Sequence, residues 1–159
     1  ELAEKVMCRL LLKAASRLRR MKYYSNRLSL RLKTEKGIRL EGKSIFYRAC
    51  DNKKLLEEAK KIWDRLIEKQ KPKQIKKISV ILYNLKKESD LQPELFQNLD
   101  TKTILNTNRF EKLSKTMDDI NTRFGRDSVT LGGLPNKIKS FSGTRIAFTR
   151  IPDKQEFHE

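Results

Sequence analysis

The sequence predicts an α+β fold: an antiparallel sheet with two helices on one face, followed by a linker, one further helix and a loose tail. Two observations carry this. Along residues 1–87 the apolar period changes from helical steps to strict alternation and back, in the order helix, strand, strand, helix, strand. The same segment holds 26 Lys/Arg against 9 Asp/Glu, whereas residues 88–159 hold 11 against 11, so the whole net charge of +17 belongs to the first segment.

From Glu4 to Met21 the residues Val6, Leu10, Ala14, Leu18 and Met21 recur at helical spacing, with Lys5, Arg9, Lys13, Arg17 and Arg20 on other faces. "RLSLRLK" then alternates: Leu28, Leu30 and Leu32 point one way and Arg27, Ser29, Arg31 and Lys33 the other. "TEKG" supplies a hairpin glycine. "IRLEGKSIFYRACD" resumes an extended pattern, with Ile45, Tyr47 and Ala49 alternating against Ser44, Phe46 and Arg48. Asp51 or Asn52 is placed to cap a second helix whose apolar face is Leu55, Ala59, Ile62 and Leu66, flanked by Leu56, Trp63 and Ile67 and ended before Pro72. In "KKISVILYNL", Ile78, Val80 and Leu82 face one side and Lys77, Ser79, Ile81 and Tyr83 the other.

This order is a split β-α-β-β-α-β unit lacking its first strand. Both helices should cover one sheet face, leaving Arg27, Arg31, Lys33, Arg48 and Lys77 on the other as a surface for a polyanion, since each cation that meets a phosphate releases a condensed counterion.

Residues 88–107 have no sustained period and read as a linker. From Asn108, in capping-box spacing with Glu111, a third helix is predicted with Phe110, Leu113, Met117, Ile120 and Phe124 as its apolar stripe. That stripe is expected to cover the sheet's edge or a partner. After Arg126 the glycines, Pro135 and a short alternating "TRIAFTRI" predict little independent structure.

The composition also excludes chemistry. His158 is the single histidine, which leaves zinc or Ser-His-Asp catalysis almost nothing to work with. Cys8 and Cys50 follow no pair or ligand spacing, usage that fits a reducing cytoplasm, and no run approaches the length of a membrane span. A monomeric cytoplasmic protein is expected.

Five stretches, "LLLKAASRLRRMKYYSNRLSLRLK", the helix with Trp63, "KKISVILYNL", "MDDINTRFGRDSV" and "RIAFTRIPDKQEF", resemble in order the C-terminal part of bacterial Y-family translesion DNA polymerases of the DinB/UmuC type. The resemblance implies that residues 1–87 are a little finger domain, which holds primer-template duplex DNA by its backbone. It also implies that Lys76 and Lys77 match the family's backbone-contacting basic pair. It implies equally that the catalytic palm, with its metal-binding carboxylates and Mg2+, lies in the parent enzyme and not in this chain, which should be inactive alone. The alternatives are a noncatalytic polymerase-like adaptor in mutagenic repair and a free-standing nucleic-acid-binding module; the aromatic stacking strand of the latter is missing from "RLSLRLK" and "KKISVILYNL".

Within the linker, "LQPELFQ" places Gln92, Leu95 and Phe96 in the spacing of the Gln-x-x-Leu-Phe peptides that dock on the bacterial β sliding clamp. Residues 88–107 are therefore expected to carry a clamp-binding peptide, and residues 108–159 a helix and tail.

Overall fold

The computed structural model describes residues 2–90, 101–125 and 128–131, side chains at 101–105 aside. Helix α1 (Leu2–Arg20) is followed by strands β1 (Tyr23–Thr34) and β2 (Arg39–Ala49), helix α2 (Asn52–Gln70), strand β3 (Ile75–Lys87), a single 3-10 turn (Glu88–Asp90) and helix α3 (Thr101–Phe124). The strands form an antiparallel sheet in the order β2-β1-β3, with α1 and α2 on one face, as the periodicities predict. None of the described helices is long and apolar enough to cross a membrane.

Central strand β1 explains the layer arrangement. Its inward Leu28, Leu30 and Leu32 are 0%, 1% and 2% exposed, and they meet Met7, Leu11 and Ala15 of α1 and Leu55, Ala59, Ile62, Trp63 and Leu66 of α2 in one core. The hairpin to β2 turns at Gly37, whose φ of +82° is the left-handed conformation that favours glycine. Gly42 on β2 has a different role. A Cβ there would collide with the Ile62 side chain and crowd Leu66, so the missing side chain lets α2 lie directly on the sheet.

Helix α2 starts where its cap predicts: the Asp51 carboxylate accepts from the Lys54 N–H at 2.8 Å. It stops at Lys71, in left-handed conformation just before Pro72. Its buried face includes a carboxylate that apolar periodicity does not reveal. Glu58 is nearly buried, accepting from Ser44 Oγ at 2.6 Å and from Lys61 Nζ at 2.9 Å, with Lys54 Nζ at 3.2 Å. Burial alone would raise its pKa, but these three partners outweigh that and hold it below the ordinary value.

The buried line of α1 is Met7, Leu11, Ala15 and Leu18, one residue on from the predicted Val6, Leu10 and Ala14, which are half-buried. The two lines lie side by side on one broad apolar arc. Because α1 packs on both β3 and α2, the arc's centre rather than its edge is covered. Met21 is exposed because the helix has already ended at Arg20, in a turn closed by Lys22 N–H donating to Arg19 C=O at 2.9 Å.

The third helix begins at Thr101, not Asn108. No glycine or proline interrupts residues 101–108, so helix continues through a stretch that apolar periodicity assigns to the linker. Asn108 is therefore inside the helix, and Glu111 is not part of a capping box; its carboxylate accepts from the Tyr24 hydroxyl at 3.1 Å.

Nor does α3 cover the sheet's edge through its apolar stripe. It lies against α1 and α2, with Met117 buried, Phe110 and Ile120 half-buried, and Leu113 and Phe124 exposed at 48% and 67%. Polar groups make the joint. Buried Arg19 donates from Nε and Nη2 to both Asp118 oxygens, at 2.6 and 2.9 Å, and from Nη1 to the Cys50 carbonyl and Asn52 Oδ1, at 2.6 and 2.9 Å. Ser114 Oγ accepts from Asn52 N–H at 3.0 Å. One guanidinium thus ties the end of α1 to the β2–α2 junction and to α3. The Asp118 side chain is 26% exposed, so losing the pair should cost about 2–3 kcal/mol, less than a fully buried pair. Beyond α3, Asn121 brackets Val129 with two hydrogen bonds of 2.9 Å, turning residues 128–131 back on the helix. The alternating piece "TRIAFTRI" lies outside the described residues.

Burial pushes the Glu111 carboxyl above its ordinary 4.5, and Asp51 adds to this; the Tyr24 hydroxyl, Lys115 and Arg48 oppose it. The folded protein therefore binds this proton more tightly than the unfolded chain. The associated stability is full below pH 4.5 and declines as pH rises through the raised value. Glu111→Gln keeps an acceptor for Tyr24 but removes the titration. Protection factors of α3 amides, corrected for the intrinsic pH dependence of exchange, should vary less with pH between 4.5 and neutrality in the variant than in the parent; superimposable profiles would refute the assignment.

Candidate nucleic-acid interface

The alternation that buries the β1 leucines turns Arg27, Arg31 and Lys33 outward, and all three are exposed. The strand register then decides what stands beside them. Lys33 is flanked by Arg39 of β2 and Lys77 of β3; Arg31 by Glu41 and Ser79; Ser29 by Lys43 and Ile81; Arg27 by Ile45 and Tyr83. The outer face is therefore a set of cross-strand rows, cationic near the β1–β2 hairpin and more apolar toward the other end.

The row Arg39, Lys33, Lys77 places three like charges side by side on adjacent strands. Direct opposition of like charges weakens a sheet by a few tenths of a kcal/mol or more per pair. All three side chains are exposed, and among the described residues none of them is ion-paired with an acid.

Among the described residues the acid of this face is Glu41. It accepts from Ser29 Oγ at 3.1 Å and lies 3.3 Å from Arg31 Nε and 3.4 Å from Lys43 Nζ. Burial would lift its pKa, but Ser29, Arg31 and Lys43 outweigh that and keep it below the ordinary value. With partners this exposed, such pairs exchange readily for a competing anion.

Two predicted residues stand apart from the rows. Lys76 is exposed at the irregularity where β1 and β3 shift register between Lys33 and Thr34, so it has no place beside Lys77. Arg48 is half-buried. Between the pairs Arg27–Ile45 and Ser25–Ala49, three β2 residues stand against Asn26 alone, and simple alternation fails there. Its guanidinium lies over the Tyr24 and Tyr47 rings, with centroids at 5.8 and 5.4 Å. Arg39 and Lys43 are the cations that sequence reasoning missed. The predicted phase of β2, with Arg48 outward and Ile45 and Tyr47 opposite it, would have put both in the core; the structure inverts it, burying Phe46 and turning Ile45 and Tyr47 outward with Arg39 and Lys43.

Gln92, Leu95 and Phe96 lie outside the described residues. Among the described residues no group of three or more His, Cys, Asp or Glu is placed to hold a metal ion. Both thiols are free. Burial, with Glu111 nearby, pushes Cys50 up to about 12, and burial also raises Cys8, which suits packing rather than reactivity. Between α2 and α3 an open cleft of about 330 Å³ is lined by Leu56, Phe110, Leu113, Met117 and Leu131.

No curated protein and no solved structure matches the chain. Residues 1–95 match the impB/mucB/samB family C-terminal domain, a span that takes in every element of the sheet and both helices packed on it. The chain accordingly belongs to the impB/mucB/samB family and is the C-terminal part of a Y-family polymerase of the UmuC/DinB type.

Proposed function

We propose that residues 1–87 hold duplex DNA by its backbone on the outer face of the sheet, and that the segment after β3 docks on a sliding clamp through Gln92, Leu95 and Phe96. The observation that carries the first part is the cross-strand trio Arg39, Lys33 and Lys77, with Arg31, Lys43 and Arg27 on the same face. Charges placed so close repel one another and gain from neutralisation by phosphates. Contacts of this kind position a duplex without reading its sequence, which suits a polymerase that must advance over any template. Lys76 stays a candidate at the rim, while Arg48 supports the surface through Tyr47.

The second part rests on the peptide spacing and its position immediately after the sheet domain. A leucine and a phenylalanine inserted into a preformed pocket contribute on the order of 3–6 kcal/mol before ordering costs, which corresponds to micromolar, reversible tethering. Gln92, Leu95 and Phe96 follow β3 within a few residues, so the DNA-holding and clamp-docking parts are adjacent in the chain. This division of labour fits the C-terminal part of a translesion polymerase acting in damage tolerance, the nucleotidyl transfer belonging to the palm of the parent enzyme.

Duplex affinity should fall steeply with salt and be the same for unrelated sequences. Changing Lys33, Arg39 and Lys77 together to Gln should lower the magnitude of the log K against log salt slope by about 0.9 per lost contact. Salt-insensitive or strongly sequence-selective binding by the parent chain would refute the reading. For the clamp, Leu95→Ala with Phe96→Ala should abolish capture by a bacterial β clamp and leave duplex affinity nearly unchanged; equal clamp affinity of variant and parent would sink the docking proposal.

A further inference from the structure

The outer face is not cationic throughout. Ile45 is 72% exposed and Ile81 37%, and Tyr47 at 38% continues the same edge, so apolar side chains share this face with the cations. Their placement is regular. Ile45 and Tyr83 flank Arg27 in one row, and Ile81 stands in the next row beside Ser29 and Lys43. From the Lys33 row to the Arg27 row is six residues along β1, about 20 Å, which equals about six base-pair rises along a duplex axis. A duplex lying along the face from the cationic trio therefore also covers the apolar rows.

The chemistry within the Arg27 row narrows the occupant. A cation stands at its centre with an apolar group on each side. Along a nucleic-acid backbone the groups flanking each phosphate are deoxyribose rings, whose carbon faces are apolar and present at every nucleotide. The pattern cation between two apolar side chains is complementary to the pattern phosphate between two sugars.

We infer that Ile45, Ile81 and Tyr83 pack on the deoxyribose of the bound duplex while Arg27 meets the intervening phosphate, giving the interface a component of affinity that salt does not remove. This rests on the duplex-binding function proposed above and adds the second half of the surface to it. Sugar contacts carry no sequence information, so the face remains indifferent to sequence.

The test compares the full chain with an Ile45→Thr, Ile81→Thr variant, which keeps β-branching at both positions and removes apolar surface. Circular dichroism and thermal unfolding confirm that it is folded; an Ile45→Val, Ile81→Val pair serves as a milder second variant. Binding to one mixed-sequence duplex and one lacking A·T pairs is titrated across a salt series. The expected result is a parallel shift: affinity falls about tenfold at every salt concentration, less for the Val pair, with the slope against log salt unchanged on both duplexes. Unchanged affinity in the Thr variant would overturn the inference. A changed slope, or a loss confined to the A·T-containing duplex, would also overturn it, the latter by pointing to thymine methyl groups instead of sugars. Failure of the duplex-binding function itself is separately visible, as absence of salt-dependent binding by the parent chain.

Discussion

In β1 the side chains of Leu28, Leu30 and Leu32 are almost wholly removed from water, and the residues between and beside them, Arg27, Ser29, Arg31 and Lys33, form the centre of the opposite face. A strand has a side-chain period of two, so these two sets are not independent: a slip of one residue would put the cations into the core and the leucines into water. Each buried leucine contributes roughly 1.5–3 kcal/mol, against which the mutual repulsion of exposed cations is small. The core therefore fixes the register, and the register brings Arg39 and Lys77 to either side of Lys33. The charged surface is a consequence of hydrophobic burial on the other side of the same strand.

The joint with α3 follows a different physics. Its apolar stripe is only partly covered, with Leu113 and Phe124 exposed, and its position is fixed by the Arg19 guanidinium, which spends four hydrogen bonds on Asp118, Cys50 and Asn52, and by Ser114 and Glu111. Polar joints of this type specify geometry more than they add stability, because desolvation offsets much of the attraction. The sheet domain and α3 are thus held together by directional contacts whose strength depends on ionisation, whereas the sheet domain itself depends on area. This matches the charge division of the chain, with its surplus entirely in residues 1–87.

Much of this was legible in the sequence because strands and helices on a single core announce themselves by period. The β1 alternation, the α2 face and the Asp51 cap are each decided by a few neighbouring residues. What was not legible depends on partners distant in sequence. Arg48 reads as an outward cation until the β2 irregularity brings it over Tyr24 and Tyr47. The seat of α1 is shifted by one residue because two apolar lines compete and only α2 and β3 choose between them. Arg19 looks like one more cation on a basic helix, and nothing local says that Asp118, 99 residues away, will receive it. The early start of α3 was hidden because residues 101–107 are mostly weak helix formers, Thr, Ile and Asn, without an amphipathic period.

The central claim is that the face opposite the helices is the one that meets DNA, and lysine reactivity reads this directly. Lys33, Lys43 and Lys77 lie on that face, whereas Lys60 and Lys69 are exposed on α2 across the domain. Acetylation of the full chain with and without saturating duplex, followed by mass spectrometry, compares the two sets within one sample. The account predicts that duplex protects Lys33, Lys43 and Lys77 and leaves Lys60 and Lys69 as reactive as before. Protection of Lys60 and Lys69 with undiminished reactivity at Lys33, Lys43 and Lys77 would contradict it.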